Sequence, residues 1–189
     1  MYKRQPSKHL ISERQEQSVG SSITPIMEGS RPILMEVQAL NSSSFLPTPR
    51  RIANGLELNR LLMLVAVLDS RSGIKLSNQD VIVSVAGGLK LSEPAADLGI
   101  ALAIVSSRYN MPIPRDFAAF GEIGLSGELR SVPQVERRLE ECARLGFSRC
   151  IVPSMSRDTL KNTVGLQVEY AATVSKAITL AIGEFKHIK

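Results

Sequence analysis

Ile33, Met35, Val37 and Ala39 alternate with Leu34, Glu36 and Gln38, the two-residue period of a half-buried strand. A loop over Ser42–Arg51 follows, holding Pro47, Pro49 and the pair Arg50–Arg51. Leu58, Leu61, Leu62, Val65 and Leu68 then recur at three- and four-residue spacing, which predicts an amphipathic helix that Gly73 can close. Val81–Val85 reads as a β-branched strand broken by Gly87–Gly88, and Ser92 as the cap of a helix carrying Pro94 in its first turn. That helix, Glu93 to about Arg108, is apolar nearly all round and should be the most buried. Phe117–Ile123 and Leu129–Val132 flank the turn Leu125–Glu128 and predict a hairpin. Pro133 opens a helix with Val135, Leu139, Cys142 and Leu145 on one face, capped by Gly146. Strands at Cys150–Val152 and Val168–Ala171 and a helix over Thr173–Ile182 complete an α/β (α+β) domain with one core.

Met1 to about Pro25 shows no sustained periodicity, so residues 1–29 are expected to be a polar tail or interdomain linker and 30–189 the domain. A short apolar pair, Leu10–Ile11, interrupts the tail, and Met1–Gln5 is unlike the rest.

Aromatic residues are only 4% of the chain and Trp is absent, so Leu, Ile, Val and Ala must build the core. The same scarcity argues against a platform on which several bases stack. A net charge of +5 is compatible with a nucleic-acid partner without requiring one. Cys142 and Cys150 lack CxxC spacing and histidine neighbours and read as reduced thiols. No apolar run is long enough for a membrane helix and no signal-peptide core is visible, so a soluble cytoplasmic protein is expected.

Several chemistries lack their residues. There is no GxxxxGK[ST] run, which leads to the expectation that this chain does not hydrolyse ATP by itself. No HExxH or Cys/His cluster suggests a metal site. His9 and His187 lie in the polar ends and leave no histidine base for a catalytic triad.

Two segments are more specific. Gly87-Gly88 through Ser92-Glu93-Pro94-Ala95-Ala96-Asp97, and Gly121-Glu122-Ile123-Gly124-Leu125-Ser126-Gly127-Glu128-Leu129 leading into Val132-Pro133 and a helix, together resemble the proteolytic domain of Lon. The resemblance covers Ser30 to Ile182 in order and spacing. It implies a Lon proteolytic-domain-like fold of the ribosomal protein S5 domain 2-like architecture. In Lon the first segment supplies a nucleophilic serine and the helix of the second a lysine base. A serine hydroxyl attacks only when a neighbouring base takes its proton, and a desolvated lysine can do so. In register, the serine position falls on Ala95 and the lysine position on Glu136, so both halves of the dyad are missing. Ser92 and Ser126 read as a cap and a turn residue, and a displaced Ser–Lys peptidase is the less favoured alternative.

The wording of EGSRPILMEVQAL, PRRIANGLELNRL, QDVIVSVAGGLKLSEPAADLGIALAI and FGEIGLSGELRSVPQVERRLEECARLGF is similar to the C-terminal domain of the bacterial RadA/Sms recombination and repair family. That resemblance implies a homo-oligomeric scaffold, a hexameric ring, that offers basic surface to DNA, with a RecA-type recombinase as a further partner. It implies that ATP, magnesium and zinc belong to a RecA-like ATPase and a zinc finger absent from this sequence. No enzyme activity and no cofactor are then expected of this chain, although the whole family resembles an ATP-dependent DNA helicase or branch-migration motor. Arg50 and Arg51 are the foremost candidates for phosphate contact, followed by Lys90, Arg130, Arg137 and Arg138. The alternative is an interaction module whose basic residues pair across subunit interfaces without touching DNA.

Overall fold

The computed structural model describes residues 18–160 and 165–183. Its main sheet has seven strands in the order β3-β4-β2-β1-β5-β8-β9: β1 Ser21–Glu28, β2 Arg31–Ser43, β3 Arg51–Asn54, β4 Gln79–Val85, β5 Phe117–Ala119, β8 Arg149–Pro153 and β9 Gln167–Ala171. β2 runs antiparallel to β1 and β4, and the remaining neighbours pair in parallel. Short strands β6 (Glu122–Ile123) and β7 (Leu129–Arg130) form a separate hairpin.

Alternation along β2 sorts its side chains between two cores. Met35 and Val37 join the larger core with helices α1 (Leu58–Ser72), α2 (Asp97–Tyr109) and α4 (Val174–Ile182). Leu34 faces the opposite side, where it packs with Ile23, Cys150 and Val152 against Val135, Leu139 and Cys142 of α3 (Val135–Arg144). Helices thus cover both faces of the sheet. α2 is the most enclosed, with Asp97 through Ser106 all buried. It lies so close to β1 that a Cβ on Gly99 would fall 2.8 Å from Thr24 Cβ, and the Gly99 carbonyl accepts a bond from the Ser22 hydroxyl. α1 ends as expected, with Gly73 in the left-handed conformation.

Three expectations change. β1 occupies the stretch assigned to the tail and is the fourth strand of the sheet, so the folded unit begins before residue 30. Its Ser21, Ser22 and Thr24 are buried although their side chains are polar. The strand expected over Phe117–Ile123 breaks at Phe120–Gly121, where Gly121 donates to Ala95 O and the chain turns into the hairpin. Ser92 caps nothing: a 3-10 turn over Pro94–Ala96 precedes α2, and neither start has a side-chain cap. Leu10–Ile11, His9 and His187 lie outside the described residues. Among the described residues no helix is long and apolar enough to cross a membrane.

Candidate functional site

The strands separate the candidate residues into two groups. β1, β4, β5 and β8 all finish at one end of the sheet, which also holds the Pro94–Ala96 turn and the start of α3. The two segments that resemble the Lon dyad meet here. Ala95 is buried, and its carbonyl accepts from Gly121 N at 2.8 Å. Glu136 is exposed in the first turn of α3, beside a groove of about 520 Å3 lined by Ser131, Gln134, Arg137 and Met155.

What joins the segments is an ion pair two residues from each dyad position. Arg138 on α3 reaches Glu93 with two guanidinium nitrogens and is itself 0% exposed. It also donates to Pro25 O at 2.8 Å and to Pro133 O at 3.0 Å, and lies over the ring of Phe120. Glu93 in turn accepts from Met27 N at 2.8 Å. One cation therefore fastens α3, β1 and the Pro94–Ala96 turn together. A guanidinium with every face occupied cannot grip a phosphate, so Arg138 is withdrawn as a DNA candidate.

Asp97 makes a second junction at this end. Its buried carboxylate accepts from both Arg60 of α1 and the backbone N–H of Ile123. Burial holds its carboxyl above the ordinary value, against the opposing pull of those bonds. Around these junctions lie the exposed candidates. Lys90 follows the Gly87–Gly88 turn, Arg130 pairs with Glu128 at 2.7 Å, and Arg137 donates to Ser30 O at 3.1 Å.

Arg50 and Arg51 lie at the opposite end, where β3 and β4 begin and β2 finishes. Arg50 donates its backbone N–H to Asp80 at 2.7 Å and its guanidinium to the other carboxylate oxygen at 3.0–3.1 Å. Its side chain remains 66% exposed. These bonds, the one from the Arg50 backbone foremost and that from Ser44 next, hold the Asp80 carboxyl below its usual range. Arg51 turns inward and donates to the carbonyls of Arg50, Leu76 and Gln79. Burial draws its guanidinium below its ordinary value, while Asp80 and Asp69 pull the other way. β3 begins at Arg51 and separates the pair from the start of α1.

Two cations that sequence reasoning missed belong to the segment that Arg51 reaches. The carbonyl of Lys75 accepts from Arg108 at the end of α2, and Leu76, next to it, accepts from Arg51. Lys75 is exposed and Arg108 half-buried. Spacing alone cannot join residue 51 to Leu76 and residue 108 to Lys75; only the fold does.

Residues 62–156, half of the chain, match the family described as subunit ChlI of Mg-chelatase, and the chain belongs to that family. It is also homologous over most of its length to proteins named DNA repair protein RadA. The relative from Bacillus subtilis is 46% identical over 94% of this chain and 39% of its own length. That from Haemophilus influenzae is 49% identical over 78% and 32%, and that from Escherichia coli 43% identical over 93% and 38%. The chain thus spans well under half the length of the curated relatives it matches.

The family match corrects two expectations. The chain was expected to be no enzyme, and ATP and magnesium were assigned wholly to absent domains. A segment that matches a subunit of an enzyme removes both exclusions for residues 62–156. The physical error was one of scope. A missing GxxxxGK[ST] run excludes one phosphate-cradling loop, whereas backbone N–H groups and helix starts bind phosphate in other sequence contexts too.

Proposed function

We propose that this chain is a non-proteolytic, Lon-like scaffold domain that serves DNA repair and homologous recombination by assembling with copies of itself and touching DNA backbone. The observation that carries the reading is the junction of the two dyad segments. A buried methyl group stands at the nucleophile position, and the neighbouring space is locked by the Glu93–Arg138 pair. A base would need a desolvated lysine aimed at a hydroxyl, and an exposed glutamate at 136 supplies neither. The names of the relatives support the repair context, and the likeness of the two segments to Lon supports the architecture.

Leu58 and Leu62 support assembly: one helical turn apart on α1, they are 46% and 43% exposed. A heterologous contact through that face can close into a ring, for which six subunits is the family-based expectation. Arg50, its side chain two-thirds exposed, offers the phosphate contact. A RecA-type recombinase is the further partner of this reading, with folded residues 21–183 as the scaffold.

The test is peptidase activity. Neither the parent chain nor Ala95→Ser should cleave casein, and Ala95→Ser/Glu136→Lys should restore little. Cleavage by the parent chain would sink the reading. A second reading, an interaction module without DNA contact, is favoured by the internal partners of Arg51 and Arg138. Salt-sensitive binding to unrelated DNA sequences separates the two.

A further inference from the structure

The connection from β2 to β3 holds out the most exposed apolar side chain among the described residues. Phe45 is 96% exposed and Leu46 beside it 50%. Phe117, Phe120 and Phe147, by contrast, are buried. The backbone around Phe45 is held on both sides. Ser44 N donates to Asn78 O at 2.9 Å, and Leu46 N to the Ser44 hydroxyl at 3.3 Å. Asp80, itself buried, closes the neck by accepting from Ser44 on one side and from Arg50 on the other. Pro47 and Pro49 restrict the backbone in between. The ring is thus displayed on a stiff projection beside a guanidinium that is two-thirds exposed.

We propose that Phe45, assisted by Leu46, stacks on or wedges beside an unpaired base of DNA whose phosphate is held by Arg50. This end of the molecule would then prefer single-stranded or distorted DNA to continuous duplex. The inference rests on the DNA-contact reading above and adds to it a substrate form and a residue. Charge complementarity favours a nucleic acid here, because Arg50, joined to the neck through Asp80, leaves its guanidinium two-thirds exposed. The shape of the apolar surface favours a base over a protein. Phe45 and Leu46 form a tip flanked by exposed Ser42, Ser43 and Thr48, whereas a protein-docking face would be a broad contiguous patch. A scarcity of aromatics excludes a platform for several bases, but a wedge needs only one ring.

The chain contains no tryptophan, so Phe45→Trp places a single fluorophore at the tip. Phe45→Trp should bind a single-stranded oligonucleotide as the parent does, and its emission should be quenched on binding. Phe45→Ala should lower single-strand affinity about five-fold or more, the scale of losing one base stack. The salt dependence should stay unchanged, since no charge is removed. Thermal unfolding should not move, because the ring makes no buried contact. Parental single-strand affinity in Phe45→Ala, without quenching of Phe45→Trp, overturns the inference and leaves phosphate contact by Arg50 standing. Failure of the parent chain to bind either form of DNA overturns the DNA reading and this inference with it. Loss of self-association in Phe45→Ala with DNA binding intact assigns the tip to a second copy, and overturns it too.

Discussion

Arginine–carboxylate pairs hold both ends of the sheet, yet they differ in what remains free. Arg138 at the strand-finishing end has no exposed surface, and its guanidinium is used up on Glu93, two carbonyls and a phenyl ring. Arg50 at the opposite end makes a comparable two-point contact with Asp80 but leaves most of its side chain in solvent. The first arrangement is an internal brace where the Lon resemblance puts catalysis. The second leaves a cation able to meet an anion from outside. Residue type does not distinguish them; burial does.

The largest expected effect is at the brace. Arg138→Ala leaves Glu93 half-buried without its cation and removes bonds to two carbonyls, so urea unfolding should report a loss of about 3–5 kcal/mol. At the other end Arg50→Ala should cost under about 1 kcal/mol, because the guanidinium is two-thirds exposed and Asp80 keeps its bonds from the residue-50 N–H and Ser44. Equal costs for the two changes would abolish the contrast.

Arg51 sharpens the comparison from within one end. It sits next to Arg50 in sequence but donates to three carbonyls joining β3, β4 and the segment after α1. Arg51→Ala should therefore destabilise by about 1–3 kcal/mol, the scale of leaving buried acceptors unsatisfied. It should affect DNA binding mainly through lost structure. Arg50→Ala should do the reverse, lowering duplex affinity several-fold and reducing the salt slope by about one phosphate contact. Gel shifts at two salt concentrations beside unfolding curves on the same variants check both. Should Arg51→Ala unfold no more easily and yet lose DNA, the inward and outward roles are reversed.

Much of this was legible in the chain. The strand β2, the helix α1 and the glycine that ends it lie in local pattern and recur in the structure. Ile33–Val37 are nevertheless buried on both faces rather than one, and Leu58 and Leu62 of the expected apolar face are exposed. The dyad positions were assigned by resemblance, from motifs contiguous in the chain, and the fold brings those two segments to one end of the sheet. β1 was missed because its buried serines and threonine look like linker, and what makes the burial of the serines tolerable is distant. The Ser21 hydroxyl donates to Glu36 and that of Ser22 to the Gly99 carbonyl. Arg138 was misread although a signal existed. It shares the i, i+3, i+4, i+7 face of Val135, Leu139 and Cys142, and a cation on an apolar face needs a buried partner. That the partner is Glu93, forty-five residues earlier, is a property of the fold alone.

The smallest effect is a local one, in acid. The Asp80 carboxyl is held below its ordinary value by the Arg50 N–H and by Ser44, so its contribution is complete above the usual aspartate range near pH 4. A group whose folded pKa is depressed loses its contribution as pH falls through that lower value. Protonation there should free the neck of the β2–β3 connection while the brace at the other end persists. Amide hydrogen exchange at Arg50 should accelerate below about pH 4 relative to exchange at Gly121, which donates to Ala95 O and does not contact Asp80. The comparison must be made as protection factors, because the intrinsic exchange rate itself changes with pH. Asp80→Asn should raise exchange at Arg50 already at neutral pH and flatten the acid response. If Arg50 and Gly121 lose protection together in the parent chain, acid is opening the whole sheet, and the two ends are not independent.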